Sequence, residues 1–212
     1  MSDDVSAGST SNAAIMPMLV IISGPSGVGK DTIIEALQRR GHQPEYHYVV
    51  TCTTRAPRHS EVPGISYNFL TVPEFVALRD AGELLEANEV HGNWYGTPKA
   101  GVREALARGQ HAILKIDVQG AQVVKEGVTD ALLIFVVPPS LETLFQHLKA
   151  RQTETADELE IRQRNAALEI ARQDDYDYVV VNEEGHVELT AERIEQIIRI
   201  EERRGTRRAV LV

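Results

Sequence analysis

Residues 19–34 read Leu-Val-Ile-Ile-Ser-Gly-Pro-Ser-Gly-Val-Gly-Lys-Asp-Thr-Ile-Ile. The apolar, β-branched run at the start is typical of a strand that is buried in a parallel sheet. After Gly24 the apolar residues recur at helical spacing, so a helix is predicted to follow. The turn between them contains Gly24 and ends in Gly29 and Lys30, which is the pattern of a phosphate-binding loop. Its glycines let backbone N–H groups converge on an anion, and the helix N-terminus and Lys30 add positive charge.

One position in this loop departs from the usual pattern. Asp31 stands where a Ser or Thr hydroxyl normally reaches Mg²⁺. Thr32 lies about 100° further round the helix, so its hydroxyl is not a simple substitute. The carboxylate of Asp31 is itself a suitable oxygen ligand for Mg²⁺, and it would repel nucleotide phosphates if no metal lay between them.

The composition limits the class of protein. The 212 residues suffice for one domain with a sizeable core, with or without inserted subdomains. The net charge of −9 argues against a nucleic-acid partner, because such surfaces need a basic footprint. Cys52 is the only cysteine, which excludes an internal disulfide and fits a reducing compartment. The sequence has no apolar run of about 18 residues and no secretory signal, so we expect a cytoplasmic protein with no membrane partner.

The alternation of apolar runs and helical segments predicts an α/β fold. We expect a three-layer P-loop NTPase fold with a five-stranded, mainly parallel sheet. A last helix is predicted from about 190 to 204, and residues 1–16 are predicted to be a disordered leader. The core strands are predicted near 18–23, 46–52, 112–117, 131–137 and 177–181.

Two segments interrupt this alternation. Residues 51–97 are predicted to form an inserted lobe, with a helix from Val72, a strand at 84–90 and an aromatic turn over 91–98. Residues 140–172 are charged and helical and are predicted to form a mobile lid. The core would then consist of residues 17–50, 98–139 and 173–212.

Several motifs occur together in this order. The most specific is Thr53-Thr-Arg-x-x-Arg-x-x-Glu-x-x-Gly-x-x-Tyr-x-Phe69, and it is accompanied by the runs 92–96, 117–121 and 176–182. Together with the phosphate-binding loop, they closely resemble the guanylate kinase family, which phosphorylates GMP with ATP. The resemblance extends from about residue 18 into the 180s. It implies that the inserted lobe binds GMP and that the lid closes over ATP.

The resemblance also implies roles for individual residues. The catalytic residues would be Lys30, Arg55, Arg151 and Arg162. The residues that bind ATP would be Gly24, Pro25, Ser26, Gly27, Val28, Gly29, Lys30, Asp31, Thr32 and Asn182. The residues that bind GMP would be Thr51, Arg55, Arg58, Tyr67, Glu86, Tyr95, Thr97 and Asp117. Mg²⁺ would enter with ATP. From its own chemistry, Asp31 is the candidate protein ligand for this metal, and the chain is expected to be a monomer or a homo-oligomer.

The chemistry of these residue types supports the implied roles. Two guanidiniums and two phenols would surround the GMP phosphate with charged and neutral donors. A carboxylate such as Glu86 can accept from the N1–H and N2–H groups of guanine, a pattern that adenine lacks. The GMP phosphate would attack the γ-phosphorus of ATP in line, and it needs no general base because it is already ionised.

Lys115 is a second departure from the family, which usually has an acidic residue two positions before the one matched by Asp117. Residues two apart in a strand share a face, so Lys115 is predicted to point toward the site. We hypothesise one compensated exchange, in which Asp31 pairs with Lys115 or ligates Mg²⁺ beside it. The alternative is two unrelated substitutions.

Two other functions remain open at this point. Ribose 1,5-bisphosphate kinases are related and also carry Asp after the loop lysine, but they have less reason to retain Glu86 and the motif from Thr53 to Phe69. Guanylate-kinase-like scaffold modules bind phosphopeptides without catalysis. The intact loop with Arg151 and Arg162 favours an enzyme, whereas the exchanges at Asp31 and Lys115 are the features that would fit lost activity.

Overall fold

The structure is a computed structural model that describes residues 16–42, 45–59, 61–90, 92–150, 156–207, 210 and 212. The predicted leader lies outside these residues except for Met16, and Arg151 also lies outside them. The elements follow in the order β1 (Leu19–Ser23), α1 (Lys30–Arg40), β2 (Tyr46–Tyr48), β3 (Cys52–Thr53), β4 (Asn68–Phe69), α2 (Val72–Asp80), β5 (Leu84–Val90), β6 (Asn93–Pro98), α3 (Lys99–Ala107), β7 (His111–Lys115), α4 (Val118–Gly127), β8 (Leu132–Val137), α5 (Leu141–Ala150), α6 (Ala156–Ile170), β9 (Tyr178–Val181) and α7 (Val187–Arg204).

Five strands form the central sheet in the order β2-β7-β1-β8-β9, and every neighbouring pair is parallel. β1 and β8 are buried along their whole length, as expected for strands with helices on both faces. The predicted five-stranded α/β fold is confirmed. The second strand is shorter than predicted, because it ends at Tyr48 and the chain then leaves this sheet.

Alternate side chains of β1 face two helical layers. Val20 and Ile22 lie in an apolar cluster with α1 and α7, whereas Leu19 and Ile21 lie in another with α3 and α4. This alternation follows from the two-residue period of a strand, and it gives the predicted three layers. The carboxyl end of β1 leads directly into the glycine-rich loop, which places that loop at one edge of the sheet.

A second sheet of four strands has the order β4-β3-β6-β5. The prediction of an aromatic turn over 91–98 is wrong, because residues 93–98 form strand β6. The ring of Trp94 stacks on Phe75 of α2 with centroids 5.7 Å apart, and this apolar contact stabilises the extended backbone. Gly96 is required beside it, since a Cβ there would lie 2.9 Å from the Phe75 ring.

Two helices, α5 and α6, make up most of the described residues between β8 and β9, which agrees with the predicted helical segment. Leu148 of α5 and Ala166 of α6 are buried in the same apolar cluster as α1. Helix α7 begins at Val187, slightly before the predicted start. No helix in the described ranges is long and apolar enough to cross a membrane.

A buried histidine links the central sheet to α7. His111, the first residue of β7, accepts the backbone N–H of Met18 at Nδ1 with a distance of 2.9 Å. Its Nε2 lies 2.6 Å from Oε1 of Glu202 in α7. Because Nδ1 is an acceptor, the proton lies on Nε2 and the ring is neutral. Burial lowers the pKa of His111; Glu202 opposes this shift, and His42 adds to it.

We expect this histidine to make the fold acid-sensitive. The pKa of an unfolded histidine is near 6.5, so below that pH the unfolded chain binds a proton more readily than the folded one. The stability that neutral His111 contributes is therefore complete above about pH 6.5 and is lost as the pH falls toward the lower, folded pKa. In urea unfolding, His111→Gln should lose less free energy of unfolding than the wild type between about pH 7.5 and pH 5.5.

The matched control is His47→Gln on the neighbouring strand β2, which should keep the wild-type pH dependence. Equal losses of stability in the wild type and in His111→Gln would contradict the assignment.

Candidate active site

The glycine-rich loop has a backbone path that side chains would obstruct. Gly24, Gly27 and Gly29 have φ angles of 148°, 88° and 95°. A Cβ at Gly24 would lie 2.3 Å from the carbonyl oxygen of Val136, and one at Gly27 would lie 2.9 Å from Leu148. The loop ends at α1, whose first N–H groups have no side-chain cap. These groups are therefore suited to an anionic ligand.

Lys30 folds back over this loop. Its ammonium donates to the carbonyl oxygens of Gly24 at 2.5 Å and of Pro25 at 3.0 Å. Burial lowers the pKa of Lys30, and the nearby carboxylates of Glu169 and Asp31 partly offset this effect. The ammonium of Lys30 is thus held against the loop.

A carboxylate from α6 also reaches the loop. Oε2 of Glu169 in α6 accepts the backbone N–H of Ser26 at 3.2 Å. Burial raises the pKa of Glu169, while Lys30 and the Ser26 N–H oppose the shift. Glu169 therefore lies at a donor of the kind that a nucleotide phosphate would use, a contact that the sequence analysis missed.

Two residues predicted to bind ATP support the loop from within the protein. The amide of Asn182 donates to the carbonyl oxygen of Val28 at 2.9 Å and accepts from the hydroxyl of Thr190 at 3.0 Å. The hydroxyl of Thr32 donates to the carbonyl oxygen of Gly29 at 2.7 Å. Both side chains are engaged with protein groups, so their contact with ATP stays a prediction.

The hypothesis that Asp31 pairs with Lys115 is confirmed. The Lys115 ammonium forms an ion pair with Oδ1 of Asp31. Lys115 ends β7, which runs beside β1 with Ile22 in register with Lys115. The parallel register thus places the end of β7 next to the start of the loop.

Arg55 and Arg58 are held by the same acidic side chain. Glu61 accepts from Nη2 of Arg55 at 2.7 and 3.0 Å and from the backbone N–H of Arg58 at 2.7 Å. Nε of Arg55 also donates to the hydroxyl of Tyr95 at 3.3 Å. The guanidinium carbon of Arg55 lies 5.7 Å from the ring centre of Tyr67. This geometry fixes a cationic corner with aromatic walls.

Glu86 forms a second corner of the site. It is buried on β5 and accepts from Thr97 Oγ1 at 2.7 Å and from Asn88 Nδ2 at 2.8 Å. Burial raises the pKa of Glu86 to about 7, and Asp117 adds to this effect. A Cβ at Gly120 would lie 3.0 Å from the Glu86 carboxylate, so helix α4 approaches it closely.

One cleft brings most of the predicted residues together. Asp117 lies in it and also caps α4, because its carboxylate accepts the N–H of Gly120 at 2.7 Å. The predicted residues that line the cleft are Ser26, Gly27, Gly29, Lys30, Asp31, Thr51, Arg55, Arg58, Tyr67, Glu86, Tyr95, Asp117 and Arg162. Outside the lining are Gly24, Pro25, Val28, Thr32, Thr97 and Asn182, most of which hold residues of the lining in place.

Three residues of the site have roles that the sequence analysis did not assign. Glu61 stands in the quoted motif, and its position between two arginines was the available signal. Asn88 follows Glu86 by two residues on one strand, so the period of a strand could have placed them on one face. Glu169 gave no signal, because its partner lies 143 residues away in the chain.

Among the described residues, no group of three His, Cys, Asp or Glu side chains is arranged to hold a metal ion. Mg²⁺ in kinase sites is held mostly by nucleotide phosphates with one or two carboxylates. Asp31, in the first turn of α1 beside Lys30, is a carboxylate of this kind. The donor set therefore fits a metal that arrives with a nucleotide.

The loop at the carboxyl edge of a parallel sheet, and a second sheet across the same cleft, define a nucleotide-binding protein of the P-loop class. The family model for guanylate kinase matches residues 16–201. The chain belongs to the guanylate kinase family.

Individual relatives agree with this assignment. A guanylate kinase of Clostridium perfringens strain SM101 is 44% identical over 190 residues, which are 90% of this chain and 86% of that protein. Guanylate kinase 2, chloroplastic/mitochondrial, of Oryza sativa subsp. japonica is 42% identical over 195 residues, which are 92% of this chain and 68% of that protein. The crystal structure of guanylate kinase from Anaplasma phagocytophilum matches with a TM-score of 0.72 and 33% identity, covering 91% of this chain and 90% of that one. The family and fold indicated by the sequence are confirmed.

The contact between Glu169 and the loop leads to a test of phosphate binding. Glu169→Gln should tighten the binding of pyrophosphate severalfold, roughly fivefold, because it removes a negative charge from beside the anion site. Isothermal titration calorimetry at constant ionic strength measures this change.

Glu160→Gln, an exposed position on the same helix, is the matched control and should bind pyrophosphate as the wild type does. Unchanged or weaker binding by Glu169→Gln would show that this carboxylate does not compete with phosphate.

Proposed function

We propose that the protein transfers the γ-phosphoryl group of ATP to GMP and forms ADP and GDP. The observation that carries this proposal is the single cleft in which the phosphate loop faces both Arg55 and the buried Glu86. A phosphate donor and a guanine nucleotide would then bind in the same cleft. Holding two reactants in line lowers the barrier without covalent participation of the protein.

The donor side is the loop and its lysine. The backbone N–H groups of residues 26–30 and the ammonium of Lys30 would hold the β- and γ-phosphates of ATP. Because Glu169 contacts Ser26 N–H before ATP arrives, nucleotide binding would displace this carboxylate. The charge developing on the leaving ADP would then face Lys30.

The acceptor side is the corner formed by Arg55, Arg58, Tyr67 and Tyr95. Glu61 holds the two arginines close together, so their donors can converge on the GMP phosphate. The attacking atom is an oxygen of this phosphate, which is already deprotonated at neutral pH. These residues therefore position the GMP phosphate and neutralise its charge, and none of them has to remove a proton.

Guanine recognition would depend on the ionised form of Glu86. Its carboxylate can accept from N1–H and N2–H of guanine, while Thr97 and Asn88 keep it in place. Thr51 and Asp117 line the adjoining part of the cleft. Adenine has no donor at the corresponding ring position, so AMP would leave a buried carboxylate unpaired.

We propose that residues 51–97 act as the GMP-binding lobe and residues 140–172 as the lid, with residues 17–50, 98–139 and 173–212 as the core. Arg162 lines the cleft from α6, which suits contact with the transferred phosphoryl group on closure. Arg151 lies outside the described residues, and its assignment rests on the resemblance. Closure would exclude the water that otherwise hydrolyses ATP.

Mg²⁺ would be carried by the ATP phosphates, with Asp31, in the first turn of α1, as the protein carboxylate ligand. When bound, the metal neutralises phosphate charge as a Lewis acid.

The cellular location of the protein is proposed on other grounds. We propose a cytoplasmic location from the sequence, whereas the name of the rice relative places that protein in chloroplasts or mitochondria.

Substrate selection tests the proposed activity. With ATP and Mg²⁺, ADP release should be rapid with GMP and weak with AMP or ribose 1,5-bisphosphate. Glu86→Gln should lower kcat/KM for GMP by about 100-fold, because an amide cannot accept from two guanine N–H groups without presenting its own donor. A coupled assay of ADP measures each rate.

Glu89→Gln, on the same strand, is the matched control and should retain turnover. Turnover with ribose 1,5-bisphosphate alone would replace the proposed function by the related sugar kinase. Binding of GMP without any turnover would indicate a non-catalytic module.

The raised pKa of Glu86 gives a second test. With a pKa of about 7, Glu86 is protonated in acid and cannot accept both guanine N–H groups. The affinity should therefore be full above about pH 8 and fall about tenfold for each pH unit well below 7. Guanosine is the ligand to use in calorimetry, since it has no phosphate that titrates in this range.

In Glu86→Gln, guanosine binding should be weak and independent of pH between about pH 6 and pH 8.5. A pH dependence that persists in this variant would show that a group other than Glu86 titrates.

A further inference from the structure

Lys115 connects the two sides of the cleft. It is the last residue of β7 and lines the cleft at the carboxyl edge of the central sheet. Its ammonium is paired with Asp31, in the first turn of α1. It also lies 5.3 Å from the ring centre of Tyr67, in the segment that leads into β4. One side chain thus contacts both the phosphate-loop helix and a wall of the acceptor corner.

The surroundings keep this lysine charged. Its side chain is 22% exposed, and burial alone would lower the pKa of Lys115. Asp31, Tyr67 and Glu61 outweigh that effect, so the pKa of Lys115 is raised. An ammonium has three N–H donors, and the contact with Asp31 uses one direction only. A charged donor group is therefore present beside the acceptor corner when water is expelled.

Lys115 and Arg55 lie against the same aromatic ring. The guanidinium carbon of Arg55 is 5.7 Å from the ring centre of Tyr67, close to the 5.3 Å found for the Lys115 ammonium. Both side chains line the one cleft, together with Arg58. A dianion placed against Tyr67 would meet donors from Arg55 on the lobe side and from Lys115 on the side of the loop.

We propose that Lys115 binds substrate directly: its ammonium donates to the phosphate of GMP on the side that faces the phosphate loop, and Asp31 positions it. This inference rests on the proposed function, because GMP is the ligand that it names. A cation at this point lies between the GMP phosphate and the γ-phosphate of ATP, which must approach each other for transfer. It reduces their repulsion most when they are closest, which stabilises the transition state.

The test must distinguish the loss of a contact between Lys115 and GMP from the exposure of the negative charge of Asp31. Lys115→Met removes the ammonium but leaves Asp31 without this partner, and its carboxylate would then repel phosphates. Asp31→Asn together with Lys115→Met removes both charges, and Asp31→Asn alone retains the ammonium. The matched control is Lys125→Met, because the ammonium of Lys125 also contacts a protein oxygen, the carbonyl of Asp175, but outside the cleft.

Calorimetry with GMP and with guanosine, and GMP turnover, are measured for each variant. Lys115→Met and the double variant should weaken GMP binding by about tenfold or more, and Lys115→Met should lower kcat/KM by about 100-fold. Guanosine binding should stay within about twofold of the wild type, which also shows that the site is folded. Asp31→Asn should lose less than Lys115→Met, and Lys125→Met should match the wild type. If the methionine variant does not fold, Lys115→Gln takes its place.

Three results would overturn the inference while GMP turnover by the wild type upholds the proposed function. Recovery of GMP binding in the double variant would show that Lys115 only masks Asp31. Equal weakening of GMP and guanosine would show a structural role. Unchanged GMP binding and turnover in Lys115→Met would show that the ammonium does not reach the phosphate. A wild-type protein that neither binds nor phosphorylates GMP would overturn the proposed function and this inference with it.

Discussion

A site for two phosphorylated ligands needs several cations in one half-buried cleft, where they repel one another and lose contact with water. In this protein neighbouring groups hold three of these cations in place. Arg55 is held by Glu61, Lys115 by Asp31, and Lys30 by two carbonyl oxygens of the loop. The cleft is therefore organised by paired charges, and phosphates would join or replace the existing partners. This arrangement keeps the donors in place at little reorganisation cost, which is the condition for strong electrostatic stabilisation.

The compensating groups come from distant parts of the chain, and the fold brings them together. The parallel register of β1 and β7 brings Lys115 beside the loop, so that it meets Asp31 at the start of α1. This pair could be predicted from the sequence because the positions of Lys115 and Asp31 each follow from a local pattern. A two-residue strand period gives the direction of Lys115, and the carboxyl edge of the sheet gives its place. Strands β1, β8 and β9 were predictable from local sequence as well, since each is an almost continuous apolar run.

Other features depend on contacts that no local pattern records. Strand β6 contains glycine, asparagine and two aromatic residues, a composition typical of a turn, yet Trp94 packs on Phe75 and the backbone is extended. The contact of Glu169 with Ser26 requires the packing of α6 against the loop, which sequence spacing does not reveal. The shortened second strand has the same origin, because Cys52 pairs with Gly96 in another sheet. Tertiary partners thus decided the elements that propensity alone assigned wrongly.

The pair of Asp31 and Lys115 bears on whether catalysis has been lost. A lone aspartate in the first turn of α1 would face incoming phosphates with an uncompensated charge, whereas the pair carries no net charge. The loop itself retains a conformation that only glycine permits at Gly24, where a Cβ would meet the Val136 carbonyl oxygen at 2.3 Å. A module that bound only phosphopeptides at the acceptor corner would have no use for this glycine-dependent geometry or for the half-buried Lys30. The constraints on the donor side therefore favour an enzyme in which the ion pair is part of the phosphate site.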